Sequence, residues 1–139
     1  TRIMNRSSFT QSSSLLPMAS AHKDAFPHSR GETVVGVEVR RLDDVAQDLA
    51  IRTPLLVKID VQGSEAEVIE GGEATLASAG VLIVETSYRV LYTGQPLFAD
   101  VHDRLIGMGF VFQGNLDQLL DPRDGAILQG DSIFVKAGG

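Results

Sequence analysis

The 139-residue chain contains no cysteine and no tryptophan. Without cysteine, a disulfide scaffold and a cysteine-ligated zinc site are both excluded. Basic residues are scarce: 12 Lys and Arg stand against 18 Asp and Glu, a net charge of −6 with a sequence pI near 4.9. That balance argues against nucleic acid or an anionic membrane as the main partner, since both select basic surfaces. No apolar run approaches the roughly 20 residues of a membrane helix. Thr1-Arg2-Ile3-Met4-Asn5 opens into polar sequence without a signal-peptide pattern, so a cytoplasmic location is expected. There is no Gly-rich phosphate loop: Gly36 and Gly71-Gly72 lack the Gly-x-Gly-x-x-Gly context, and no Walker, nucleophile-elbow or zinc signature occurs. The apolar fraction is 43% and the charged fraction 22%, ordinary for one globular domain able to bury a core unaided.

Two regions differ in character. Residues 1–32 are crowded with serine, including Ser7, Ser8 and Ser12-Ser13-Ser14, and read as a leader or loop around the apolar island Leu15-Leu16-Pro17-Met18. Residues 33–139 carry regular periodicities. Thr33–Arg41 reads as a strand, and Asp43 or Asp44 as the cap of a helix reaching about Ala50. Leu55–Val61, nearly continuous in apolar residues between Pro54 and Gly63, suits a parallel strand covered on both faces. Ser64 and Glu67 have capping-box spacing for a helix to about Ser78, weakened at Gly71-Gly72. Val81–Thr86 is a second buried strand, and Pro96 fits the first position of a helix whose face is Leu97, Phe98, Val101, Leu105 and Met108. Phe110–Gln113 and Ser132–Lys136 flank turn-rich Asp121–Gly125. The order predicts α/β with a mainly parallel sheet ending in an antiparallel strand pair.

Ligands of open parallel sheets bind beyond the carboxyl ends of the strands. Asp60 and Glu85 stand at two such ends. If the strands are neighbours, about 4.8 Å apart, both carboxylates face one crevice and suit a cationic ligand, a divalent metal, or a hydroxyl that must lose its proton. Asp60 reads equally well as a turn residue bonding backbone amides. Lys58 shares a face with Asp60 and is expected to pair with a carboxylate. Glu65 either reaches the crevice or simply favours the helix dipole. Tyr88 and Tyr92 lie in a loop after a strand end, where substrates are gripped, but suit ordinary packing equally. His22, His28 and His102 lack metal-ligand spacing, and no metal site is predicted. Metal-assisted hydrolysis by Asp60 and Glu85 is therefore the weakest of the enzymatic readings.

Lys58-Ile59-Asp60-Val61-Gln62-Gly63-Ser64-Glu65, then Val84-Glu85, then Leu91-Tyr92-Thr93-Gly94-Gln95-Pro96-Leu97-Phe98, resemble the FkbM-type methyltransferases. Ser12–Leu16, Val39–Asp44, Gly109-Phe110 and Asp131–Val135 extend the resemblance over nearly the whole chain, in order. It implies a Rossmann-like class I fold and S-adenosylmethionine-dependent methyl transfer to a hydroxyl oxygen of a small molecule or sugar. By analogy, Leu55–Val61 and Val81–Thr86 are the fourth and fifth strands of a seven-stranded sheet. Asp60 and Glu85 then carry the catalytic chemistry, with Asp60, Gln62 and Gly63 at the cofactor and Glu65, Tyr88 and Tyr92 at the acceptor. The family's glycine-rich cofactor loop precedes anything in this sequence, so residues 33–139 resemble the C-terminal part of the domain. Activity of such a part alone is in question, and the alternative is a non-catalytic α/β binding module. The Leu55–Val61 edge is expected to be covered by a second copy or by the Thr33–Arg41 strand.

Overall fold

The computed structural model describes residues 1–29 and 31–138. Its strands are β1 Arg2–Ser7, β2 Glu32–Val37, β3 Leu56–Ile59, β4 Val81–Ser87, β5 Phe110–Leu120 and β6 Ile127–Lys136. Its α-helices are α1 Ser20–Ala25, α2 Leu42–Gln47, α3 Glu65–Gly71, α4 Glu73–Ala77 and α5 Phe98–Gly107. None is long and apolar enough to cross a membrane.

The main sheet has the order β3-β4-β6-β5. β3 and β4 are parallel, while β6 is antiparallel to both β4 and β5. The expected parallel character therefore holds for strand direction but for only one of the three ladders. The β5–β6 hairpin folds back and inserts its second strand beside β4, separating the strands that point the same way. Its turn is held by Asp121, which is 1% exposed and accepts from Arg123 Nε at 2.9 Å and Nη2 at 2.7 Å.

Alternation along the strands divides the sheet into two chemically different faces. Ile59, Leu82, Val84 and Phe134 enter the core with Ile69, Leu76, Val101, Leu105 and Phe110 from the helices and β5. Leu55, Val57 and Val61 pack against the same cluster. The intervening Leu56 is 57% exposed, so β3 is covered on one face rather than both. Leu56 shares that face with Lys58, which is also exposed. On α5, Val101 and Leu105 are buried and Phe98 and Met108 pack beside them, the expected face. Each such leucine contributes on the order of 2 kcal/mol by burial.

Three helix starts differ from the sequence expectations. Ser64 makes no capping bond, and Glu67 pairs with Arg2 instead of closing a capping box. Neither Asp43 nor Asp44 caps α2. Arg41 occupies that place, and Asp43 reaches across to the start of α4, accepting from Thr75 N at 2.8 Å, Thr75 Oγ1 at 2.7 Å and Ala74 N at 3.2 Å. That satisfies donors α4 would otherwise leave open. α5 begins at Phe98, not Pro96, because Asp100 accepts the Leu97 N–H at 2.9 Å. The break between α3 and α4 falls at Gly71-Gly72 as expected, where a Cβ on Gly72 would meet Leu42 Cδ2 at 2.6 Å.

The Ser-rich segment, read as loop, carries β1, α1 and two short 3-10 turns. β1 pairs antiparallel with β2, so β2 does not cover the β3 edge. Among the described residues no strand does. Bridges at Asn5–Ser14 and Met18–Tyr92 fold the segment across the carboxyl end of β3. A second apolar cluster of Met18, Ala25, Leu91, Tyr92 and Leu128 anchors it there.

Candidate functional site

The second face of the sheet is polar at its carboxyl end. Lys58 is registered with Ile83, and Asp60 follows two residues later beside Glu85. Across β4, Glu85 is registered with Asp131 and Ser87 with Gln129. Period-two alternation thus collects Lys58, Asp60, Glu85, Gln129 and Asp131 on one surface. Lys58 Nζ lies 3.4 Å from both Asp60 Oδ2 and Asp131 Oδ2, the expected carboxylate pairing. Slight burial pulls the Lys58 pKa down, but Asp131 and Asp60 outweigh it and hold the ammonium above its ordinary value.

Gln62 ties this surface together. It follows β3 in a left-handed turn, with φ 50° at Gln62 and 103° at Gly63. A non-glycine residue there costs about 1–2 kcal/mol, so surrounding bonds must hold it. Its Nε2 donates to Asp60 Oδ1 at 3.0 Å and to Glu85 Oε2 at 2.6 Å. Its Oε1 accepts from the Tyr92 hydroxyl at 2.8 Å, and its carbonyl accepts from Ser14 Oγ. Gln129 Nε2 donates to the same Glu85 oxygen at 3.0 Å.

These amide donors favour an ionised Glu85, but the opposing influences are larger. Burial, then the charges of Asp60, Glu65 and Asp131, then a hydrogen bond shared with Asp60, push its pKa to about 8. Glu85 is therefore a proton-holding acid at neutral pH, joined to the Asp60 carboxylate. Two adjacent acids that do not ionise together are a recurring arrangement for moving or holding a proton. Burial, with Glu85 nearby, likewise pushes the Tyr92 phenol up, so it remains a donor.

The remaining residues expected at the site divide. Glu65 is 3% exposed, and its Oε1 accepts the Gly63 N–H at 3.0 Å. It braces the turn from below, and burial raises its pKa. Gly63 faces protein: a Cβ would meet Leu16 Cδ1 at 3.1 Å and Tyr92 Cβ and Gln95 Cβ at 3.2 Å. Tyr88 is not brought to the cluster. Its ring stacks on Phe98 with centroids 5.2 Å apart, and its hydroxyl accepts from Asn115 Nδ2 at 2.8 Å. His102 lies in the same aromatic group, with its centroid 5.6 Å from that of Phe98. Gln129, Asp131 and Ser14 join the network without having been singled out in the sequence. Ser14 and Asp131 lie within segments of the family resemblance, whereas Gln129 carried no signal in the sequence.

A cavity of about 1510 Å³ opens above this surface. Asp60, Gln62, Glu85 and Gln129 line it together with Ser12, Ser14, His22 and Phe26 of the Ser-rich segment, the Val39–Leu42 linker, and Glu67 and Val68 of α3. Small-molecule sites usually occupy 300–1,000 Å³. Among the described residues, no group of three or more His, Asp or Glu side chains is placed to hold a metal ion.

Residues 3–112 match the family described as the methyltransferase FkbM domain. The chain is also 34% identical over 92 residues to the 2-O-methyltransferase NoeI of Sinorhizobium fredii (strain NBRC 101917 / NGR234). That alignment covers 66% of this chain and 38% of the relative, so the chain spans well under half of that protein's length. No solved structure matches the chain.

Proposed function

The chain belongs to the FkbM methyltransferase family, and from that premise we propose that it is the acceptor-side part of an S-adenosylmethionine-dependent O-methyltransferase. In this reading the β3-β4-β6-β5 sheet is the C-terminal half of a Rossmann-like class I sheet, with β3 and β4 as its fourth and fifth strands. The methyl acceptor is a hydroxyl oxygen of a small molecule or sugar. The observation that carries the reading is the hydrogen-bonded Asp60–Gln62–Glu85 group at the carboxyl ends of the parallel pair, on the wall of the cavity.

The residues present suit such a cofactor in chemistry. Asp60 and Asp131 set two carboxylates against the single Lys58 ammonium that both of them pair with, and protonated Glu85 adds no positive charge, which favours a ligand bearing a sulfonium and an ammonium at this surface. When bound, S-adenosylmethionine supplies an electrophilic methyl group. Asp60 and Gln62 would hold the cofactor side, with Gly63 shaping the turn beneath them. Asp60 would orient the acceptor hydroxyl and receive its proton, while protonated Glu85 fixes the position of Asp60. Tyr92 and Gln129 hold Gln62 and Glu85 in place, so positioning carries most of the rate. Tyr88 stands apart, and its acceptor role is not carried forward.

The family's glycine-rich cofactor loop has no counterpart in these 139 residues. A calorimetric titration of S-adenosylhomocysteine into the chain tests what that means. Absence of heat, followed by micromolar binding when a segment carrying that loop is added, supports the acceptor-side reading. Methyl transfer by the completed enzyme should then fall at least 100-fold in Asp60→Asn, with the far-UV circular dichroism unchanged. Undiminished transfer removes Asp60 from the reaction, and binding with no transfer to any hydroxyl favours the non-catalytic module.

A further inference from the structure

Buried polar side-chain atoms almost always have hydrogen-bond partners, so each exception calls for a reason. Among the described residues there are three such atoms: His22 Nδ1, His22 Nε2 and Ser64 Oγ. His22 is 4% exposed and Ser64 5%. They come from distant parts of the chain, α1 and the start of α3, yet both residues line the same cavity. Neither side chain has an evident structural task. Ser64 occupies the N-cap of α3 without making the capping bond its position offers. The His22 ring packs edge-on against Tyr92, with centroids 5.3 Å apart, and against Phe26 at 5.5 Å. A phenyl ring would fill that place without leaving two nitrogens unpaired.

We propose that His22 and Ser64 form a hydroxyl-binding subsite of this cavity, holding a polyhydroxylated ligand beside the Gln62–Glu85 group. Tyr92 connects the two: its ring touches His22 and its hydroxyl bonds Gln62. The imidazole offers one acceptor and one donor, and the serine hydroxyl offers both. Burial, then the charge of His28, lowers the His22 pKa against the opposing Glu32, so the ring is neutral and keeps its acceptor nitrogen. Phe26 adds an apolar surface for the ligand's C–H groups. Rather than an idle leader, the Ser-rich segment thus supplies half of the recognition wall. The inference deepens the methyl-transfer reading by naming the residues that hold the acceptor.

The chain has three histidines, so its imidazole signals are few and assignable by substitution. The test titrates glycerol, as a minimal polyol, into the full chain and follows the imidazole NMR signals. His22 should shift saturably, and His102, which lies in the aromatic group near Phe98, should not. His22→Phe and Ser64→Ala remove unsatisfied groups, so each should leave Tm unchanged or raise it by roughly 2–6 °C, and Ser64→Ala should weaken the glycerol response at least 5-fold. A His22 signal that moves no more than that of His102 overturns the proposal. So does a Tm lowered by several degrees in both variants, because it would make the two groups structural. A saturable His22 response in the chain, with no methyl transfer to any hydroxyl once the segment carrying the cofactor loop is supplied and the cofactor binds, would keep the subsite and refute the methyl-transfer reading alone.

Discussion

Replacing Glu85 with glutamine should make this protein more stable at alkaline pH and leave it nearly unchanged near pH 5. The folded state holds Glu85 at about 8, against an ordinary value of 4.5. Between those values the native state binds more protons than the unfolded chain, so stability falls as pH rises. The full shift corresponds to about 5 kcal/mol, of which the larger part, roughly 3–4 kcal/mol, is lost between pH 5 and pH 8. That is a large share of the 5–15 kcal/mol typical of a domain. A glutamine side chain reproduces the protonated acid closely. Its carbonyl oxygen can take the place of Glu85 Oε2, which accepts from Gln62 and Gln129, while its amide donates toward Asp60. Urea unfolding at pH 5, 6, 7 and 8, followed by far-UV circular dichroism because there is no tryptophan, measures the difference. Glu65 and His22 also titrate, with opposite signs, but they are common to both proteins and cancel. The Glu85→Gln protein should gain roughly 3 kcal/mol over wild type by pH 8. Parallel pH curves for the two proteins would show that Glu85 ionises normally, and the acid-pair argument would fail with it.

The acid limb should depend on other groups. Asp43, through its bonds from Thr75 and Ala74, and Asp121, at about 2 through its bonds from Arg123, have lowered values, so their contribution is present above the ordinary carboxylate range and lost as pH falls. Asp43→Ala should lower Tm by roughly 2–6 °C at pH 6, and the deficit should shrink toward pH 3; a constant deficit would assign the loss to packing instead. Gly72→Ala should cost about 1–3 kcal/mol, because its Cβ would crowd Leu42 Cδ2 at 2.6 Å and the Val68 carbonyl at 3.0 Å. Its urea midpoint should drop with an unchanged slope, and a neutral result would mean α2 shifts freely against α3. The β3 edge, which no strand among the described residues pairs, should drive self-association of the concentrated chain, with Leu56 at the contact. Light scattering should show a dimer that Leu56→Lys disperses; a monomer at millimolar concentration would end that expectation.

Much of the architecture was legible because it is local. The apolar runs at β3 and β4, the stripe on α5 and the Gly71-Gly72 break each record a period or a backbone limit within one short stretch. Pairing Asp60 with Glu85 was legible too, since both follow apolar strands and parallel strands joined by one crossover are usually neighbours. The FkbM motifs named the family from the same segments. Helix starts were read less well. A capping sequence states which bond a side chain can make, but Ser64, Glu67 and Asp43 were all claimed or left open by partners elsewhere.

What the sequence determined alone is therefore the strands and helices beyond the Ser-rich segment, the apolar stripe of α5 and the acids at two strand ends. Tertiary structure decided which groups meet them. Placing β6 beside β4 set Gln129 and Asp131 against Glu85, a consequence of antiparallel register across more than forty residues. Folding the Ser-rich segment over β3 brought Ser14 to Gln62 and His22 to Tyr92. Burial of Glu85, with the charges of Asp60, Glu65 and Asp131 around it, keeps its proton in place. Burial and register are sums over contacts distant in the chain, so no local pattern encodes them, and the chemistry of this site depends on both.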